Sequence, residues 1–125
     1  MMEKSREALG REMVKKCYGD VVPMPGGELD SYQRMTLEGL FAEVWSREGT
    51  SFRDKRIAVL GVLAGTGADP ELTRIHVRSA LANGELSPEE LRELVLIVTP
   101  YCGYPKGTPI YQVVEACIKE REDAR

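Results

Sequence analysis

Residues 69–90 read DPELTRIHVRSALANGELSPEE, and this stretch decides the fold class. Asp69-Pro70-Glu71 is a helix start, with a capping side chain followed by proline at the first helical position. The helix it opens runs to about Asn83, and Gly84 is its C-terminal stop. Three residues later Ser87-Pro-Glu-Glu90 forms a capping box that starts a second helix. Two well-punctuated helices joined by a short turn set the pattern for the rest of the chain.

Working outward, Leu91, Leu94, Val95 and Val98 give the second helix its apolar stripe. Gly103-Tyr-Pro-Lys-Gly107 reads as a loop, after which Thr108-Pro109 caps a last helix over 109–121. Upstream, Ser51 with Asp54 opens a helix whose body, Ile57-Ala-Val-Leu-Gly-Val-Leu-Ala, is apolar nearly all round. Such a helix is usually the buried centre of a bundle. Gly61 inside it costs about 1 kcal/mol against Ala, which suggests close approach of a neighbouring backbone. Gly65-Thr-Gly67 ends this helix. Asp30 with Gln33 is another capping box, followed by Tyr32, Leu37, Leu40, Phe41, Val44 and Trp45 at helical spacing, with Gly49 as the stop. The loop 21–29, Val-Val-Pro-Met-Pro-Gly-Gly-Glu-Leu, sets off an N-terminal helical arm at about 3–19. No segment reads as a strand. The expectation is one all-α domain over residues 1–125, an orthogonal or bundle-like arrangement of five to six helices, with the arm within residues 1–20.

Composition bounds the function. The 125 residues are 42% hydrophobic and 30% charged, ordinary globular values. A net charge of −3 argues against general binding of a nucleic-acid backbone. The longest weakly polar run, Ile57–Ala68, is too short for a bilayer, which takes about 20 residues. The first twenty residues mix acids with bases and lack the apolar centre of a signal peptide, so a cytoplasmic location is expected. Cys17, Cys102 and Cys117 are widely spaced with no C-x-x-C, and His76 is the only histidine. A structural zinc site within one chain is therefore not expected, and each cysteine reads as a small buried hydrophobe.

Three places could carry chemistry. His76 shares a helix face with Leu72, Ser79 and Ala80, a face expected to look into the core. It is either a satisfied core histidine or an acid/base at neutral pH. Glu43 and Arg47, at i, i+4 across Trp45, form either a surface ion pair or a pocket-side pair with Arg47 anchoring a carboxylate. Pro100 disturbs a helix end, so Tyr101, Cys102 and Tyr104 either line a cavity or pack a capped terminus.

Taken in order, these segments resemble one family. They are Glu43-x-Trp45-x-Arg47, Arg53-x-x-Arg56 before an apolar helix, His76-Val-Arg-Ser-Ala80 with Asn83-Gly84, Ser87-Pro-Glu-Glu90-Leu-Arg-Glu93-Leu, and Tyr101-Cys-Gly103-x-Pro105. Over about residues 30–118 the set is similar to the carboxymuconolactone decarboxylase family. The resemblance implies an alkylhydroperoxidase-like all-α fold with intertwined subunits, a trimer or hexamer. It implies a lyase acting on a small lactone carboxylate in aromatic-compound catabolism, with neither metal nor organic cofactor. Loss of carbon dioxide leaves a delocalised anion that must be stabilised and reprotonated. His76 is then the proton donor and Glu43 its orienter or a second acid. Arg47, Arg53 and Arg78 hold the anion, and Trp45, Tyr101 and Cys102 line the substrate. The family also contains alkylhydroperoxidase-like proteins that use a C-x-x-C pair and a following histidine. Here Cys102 falls near that motif, but position 105 is Pro and no histidine follows. A thiol-dependent peroxidase through Cys102 is one alternative. A non-catalytic small-molecule-binding oligomer, suggested by the unusual Lys106–Pro109 segment, is another.

Overall fold

The structure, a computed structural model, describes residues 5–125, so the first residues of the expected arm lie outside it. Every regular element among the described residues is helical. The elements are α1 (Arg6–Tyr18), α2 (Ser31–Arg34) continuing directly into a π-helix (Met35–Trp45), α3 (Phe52–Thr66), α4 (Pro70–Ala82), α5 (Pro88–Cys102) and α6 (Tyr104–Asp123). The chain forms two compact units, Met1–Phe52 and Arg53–Arg125.

In the first unit α1 packs along the π-helix. Gly10 makes this possible: a Cβ there would fall on the backbone carbonyl of Leu37. Met13, Val14 and Cys17 meet a buried side holding Leu37, Phe41, Ala42 and Trp45. The Tyr18 and Phe41 rings meet edge to face at 5.8 Å, a favoured aromatic geometry. The Asp30–Gln33 capping box is present in both directions, at 2.8 and 3.1 Å. Beyond it the winding departs from expectation. Hydrogen bonds run i→i+5 from Met35, and the helix ends at Trp45 instead of near Gly49. A stripe spaced for 3.6 residues per turn therefore splits. Leu37, Phe41 and Trp45 face inward, whereas Tyr32, Leu40 and Val44 are exposed.

In the second unit α6 packs on both α4 and α5. Leu60 and Ala64, Val77, Ala80 and Leu81, Leu91 and Leu94, and Val113, Val114 and Ile118 form its core. Asp69 caps α4 through the Glu71 amide at 2.8 Å, and Gly84 takes φ +67° at the expected stop. Ser87 and Glu90 cap α5 reciprocally, at 3.1 and 3.0 Å.

Three expectations for this unit are corrected. First, α3 buries only Arg56, Leu60 and Ala64, and Val62 is exposed, so it is not a helix covered all round. Gly61 accordingly faces open space: a Cβ there would have nothing within 4 Å. Close approach occurs instead at Gly107, where a Cβ would strike the Thr99 side chain. Second, there is no loop over 103–107. Gly103 alone, at φ +87°, breaks the chain, and α6 starts at Tyr104. Pro105 falls in the first turn, where an amide hydrogen has no helical partner, and Pro109 is carried inside the helix. Third, Leu72 is half exposed and does not share the inward face of His76. Thr73, Val77 and Ala80 share it.

Candidate active site

The site is built on α3, α4 and the turn after α4. On α4 the positions 73, 76, 77 and 80 form one inward stripe, which places His76 among core residues with 9% of its surface exposed. On α3 the inward stripe is Arg56, Leu60 and Ala64, at four-residue spacing. An arginine thus occupies a core position and is fully buried.

A buried guanidinium needs hydrogen-bonded partners and a counter-charge. Arg56 has both. Its Nη1 lies 2.8 Å from His76 Nδ1. Its Nε and Nη2 donate to the two carboxylate oxygens of Glu85 at 2.8 and 3.3 Å, a bidentate grip. Asn83 Nδ2 donates to the same carboxylate at 3.2 Å. Burial, and secondarily the Arg56 charge, lower the His76 pKa from 6.5 to about 4. At neutral pH the ring is uncharged.

The other sequence candidates of the second unit have surroundings of their own. Arg53 donates to Glu90 at 2.6 Å. The Glu90 carboxyl is held below its ordinary range by the Ser87 amide and by Arg53. Arg78, two residues after His76 on α4, turns to another face and pairs with Glu120 of α6 at 3.0 Å. Its Nε is buried with no hydrogen-bond partner among the described residues. Tyr101 is 88% exposed. Cys102 is half-buried, and its thiol reaches the Gly103 carbonyl at 3.7 Å. Burial pushes the Cys117 thiol up.

Glu43, Trp45 and Arg47 belong to the first unit. Glu43 pairs with Arg6 at 3.0 Å on an exposed surface. Trp45 is buried and packs on Phe41 and Phe52. Arg47 lies past the end of the π-helix, so the expected i, i+4 helical relation to Glu43 does not exist. No group of three or more His, Cys, Asp and Glu among the described residues is arranged to hold a metal ion. No described helix is long and apolar enough to cross a membrane.

Sequence reasoning placed His76 on an inward helix face, where it lies, but anticipated neither its contact with Arg56 nor the pairing of Arg56 with Glu85. The signal for Arg56 was present: it falls in register with Leu60 and Ala64 on an apolar helix, where a charge demands a partner. Glu85 carried no comparable signal, because an acid after a helix-stopping glycine reads as a solvated turn.

Residues 30–116 match the carboxymuconolactone decarboxylase family, and the chain belongs to it. It is 31% identical over 120 residues to nitrosuccinic acid decarboxylase npaB of Metarhizium robertsii, covering 94% of this chain and 78% of that protein. It is 30% identical over 89 residues to 4-carboxymuconolactone decarboxylase of Acinetobacter baylyi, covering 71% of this chain and 65% of that protein. No solved structure gives a significant match.

Proposed function

We propose that this chain is a decarboxylase of a small organic acid, with His76 as the central group of its site. The observation that carries the reading is the buried Arg56–His76 contact at 2.8 Å, in a member of a family whose two relatives above are both named decarboxylases. The named substrates differ: one is a lactone and the other a nitro acid. They share a carboxylate to lose and an electron-withdrawing group beside which to lose it.

In such a reaction the bond from carbon to carboxylate breaks, and its electron pair moves onto the withdrawing group as an oxyanion. Carbon dioxide leaves, and the carbon then takes a proton from solvent. The enzyme's task is to stabilise the developing oxyanion. A neutral imidazole N–H in a buried setting does this as a hydrogen-bond donor. At a pKa of about 4 the ring is overwhelmingly uncharged at pH 7, so in this reading His76 serves as an N–H donor to the oxyanion. Arg53 and Arg78 serve the substrate only by exchanging Glu90 and Glu120 for its carboxylates.

The working form is a homo-oligomer in this reading. Leu96, Tyr104 and Tyr111 line one open groove between α5 and α6, and Ile97 and Tyr101 are further exposed side chains of α5. The three unbridged thiols suit a reducing compartment such as the cytoplasm. The direct test is release of carbon dioxide by the purified chain from 4-carboxymuconolactone and from nitrosuccinate. Release from either supports the proposal. Release from neither, by a folded protein, refutes it for these two substrates and removes its chemical basis.

A further inference from the structure

The contact between Arg56 and His76 fixes more than a position. A guanidinium carries five N–H donors and no acceptor, and it is always charged in proteins. A neutral imidazole has one donor nitrogen and one acceptor nitrogen. With Arg56 Nη1 2.8 Å from Nδ1, that nitrogen must be the acceptor. The ring proton therefore sits on Nε2.

We infer that Arg56 and Glu85 are positioning residues that lock His76 in its Nε2–H tautomer, the form whose Nε2–H serves the oxyanion formed as carbon dioxide leaves. The inference rests on the decarboxylase reading for its last clause only. The tautomer itself follows from the contact.

Glu85 has a specific part in this. Arg56 alone, on a flexible side chain, could present several of its N–H groups to the ring. The Glu85 carboxylate takes Nε and Nη2 together, at 2.8 and 3.3 Å. This leaves Nη1 as the group directed at Nδ1. Asn83, donating to the same carboxylate, orients Glu85 in turn. The chain of orientation runs from the turn after α4, through α3, and back to α4. It supplies through a cation what a carboxylate supplies when it holds an imidazole in the opposite tautomer.

The chain has one histidine, so ring-nitrogen NMR of the full protein reads this group without ambiguity. At pH 7 the expected spectrum is a neutral imidazole with the proton on Nε2. In Arg56→Met the donor to Nδ1 is gone, and a mixture of both tautomers is expected. Should that variant fail to fold, Glu85→Gln gives the same reading: an amide cannot grip two guanidinium nitrogens, so the Nε2–H population falls. A proton on Nδ1 in the unaltered protein overturns the inference, as does an unchanged spectrum in whichever variant folds. Where decarboxylation is measurable, the same variants lower kcat about ten- to hundredfold while KM changes little, since the group they misalign acts on the transition state. An equal kcat with the tautomer lost overturns the catalytic clause alone. Absence of any decarboxylation leaves the spectrum to decide the tautomer and refutes only the reading of Proposed function.

Discussion

The Arg56 guanidinium stands 2.8 Å from Nδ1 of His76, inside a core where neither side chain is more than slightly exposed. Burial of the ring, with the Arg56 charge second, couples the fold to pH. The folded-state pKa of His76 is about 4 against 6.5 for an ordinary histidine. Between these values the unfolded chain binds a proton that the folded chain refuses, so stability falls as pH falls. The contribution is fully present above about 6.5, is lost progressively down to about 4, and changes no further below that. Its size is about 3 kcal/mol, from 1.36 kcal/mol per unit. Urea unfolding at pH 7 and pH 4 should show this loss in the unaltered protein, and His76→Gln should lack that part of it.

Gly10 and Gly61, both within helices, should respond oppositely to alanine. At Gly10 the added methyl meets the Leu37 backbone, which cannot move aside without separating α1 from the π-helix. A destabilisation of roughly 1–3 kcal/mol is expected, as for overpacking. At Gly61 nothing stands within 4 Å, and the helical backbone suits alanine. A gain of about 0.5–1 kcal/mol is expected there. Chemical denaturation midpoints decide both.

Removing the Ser87 hydroxyl should weaken α5 at its start. Ser87→Ala leaves the Glu90 amide without the acceptor it has at 3.1 Å. The expected cost is about 1 kcal/mol. Hydrogen exchange localised to residues 88–91 separates this from a global effect.

Helix existence was legible in the sequence because it is written in short, local chemistry. The two capping boxes at Asp30 and Ser87, the Asp69-Pro70 start and the Gly84 stop each act within four residues, and each is found in place. What failed was whatever depended on distant partners. The inward side of the π-helix follows an i→i+5 winding that no residue between Met35 and Trp45 announces. Pro105 read as part of a loop and Pro109 as the start of the last helix, yet Pro105 falls in the first turn of α6 and Pro109 is carried inside it. In the site, His76 was legible as the lone imidazole on a core face. Glu85 was not, because its partner Arg56 is 29 residues away in sequence and joins it only through tertiary packing.

The central claim is that His76 stabilises the anion left by departing carbon dioxide. The most direct measurement is kcat for carbon dioxide release by His76→Gln and by the unaltered protein, each shown to be folded, on whichever of the two acids is turned over. Loss of a single oxyanion donor of this kind lowers kcat by about 10²–10³. A folded variant that releases carbon dioxide at the unaltered rate would contradict the account.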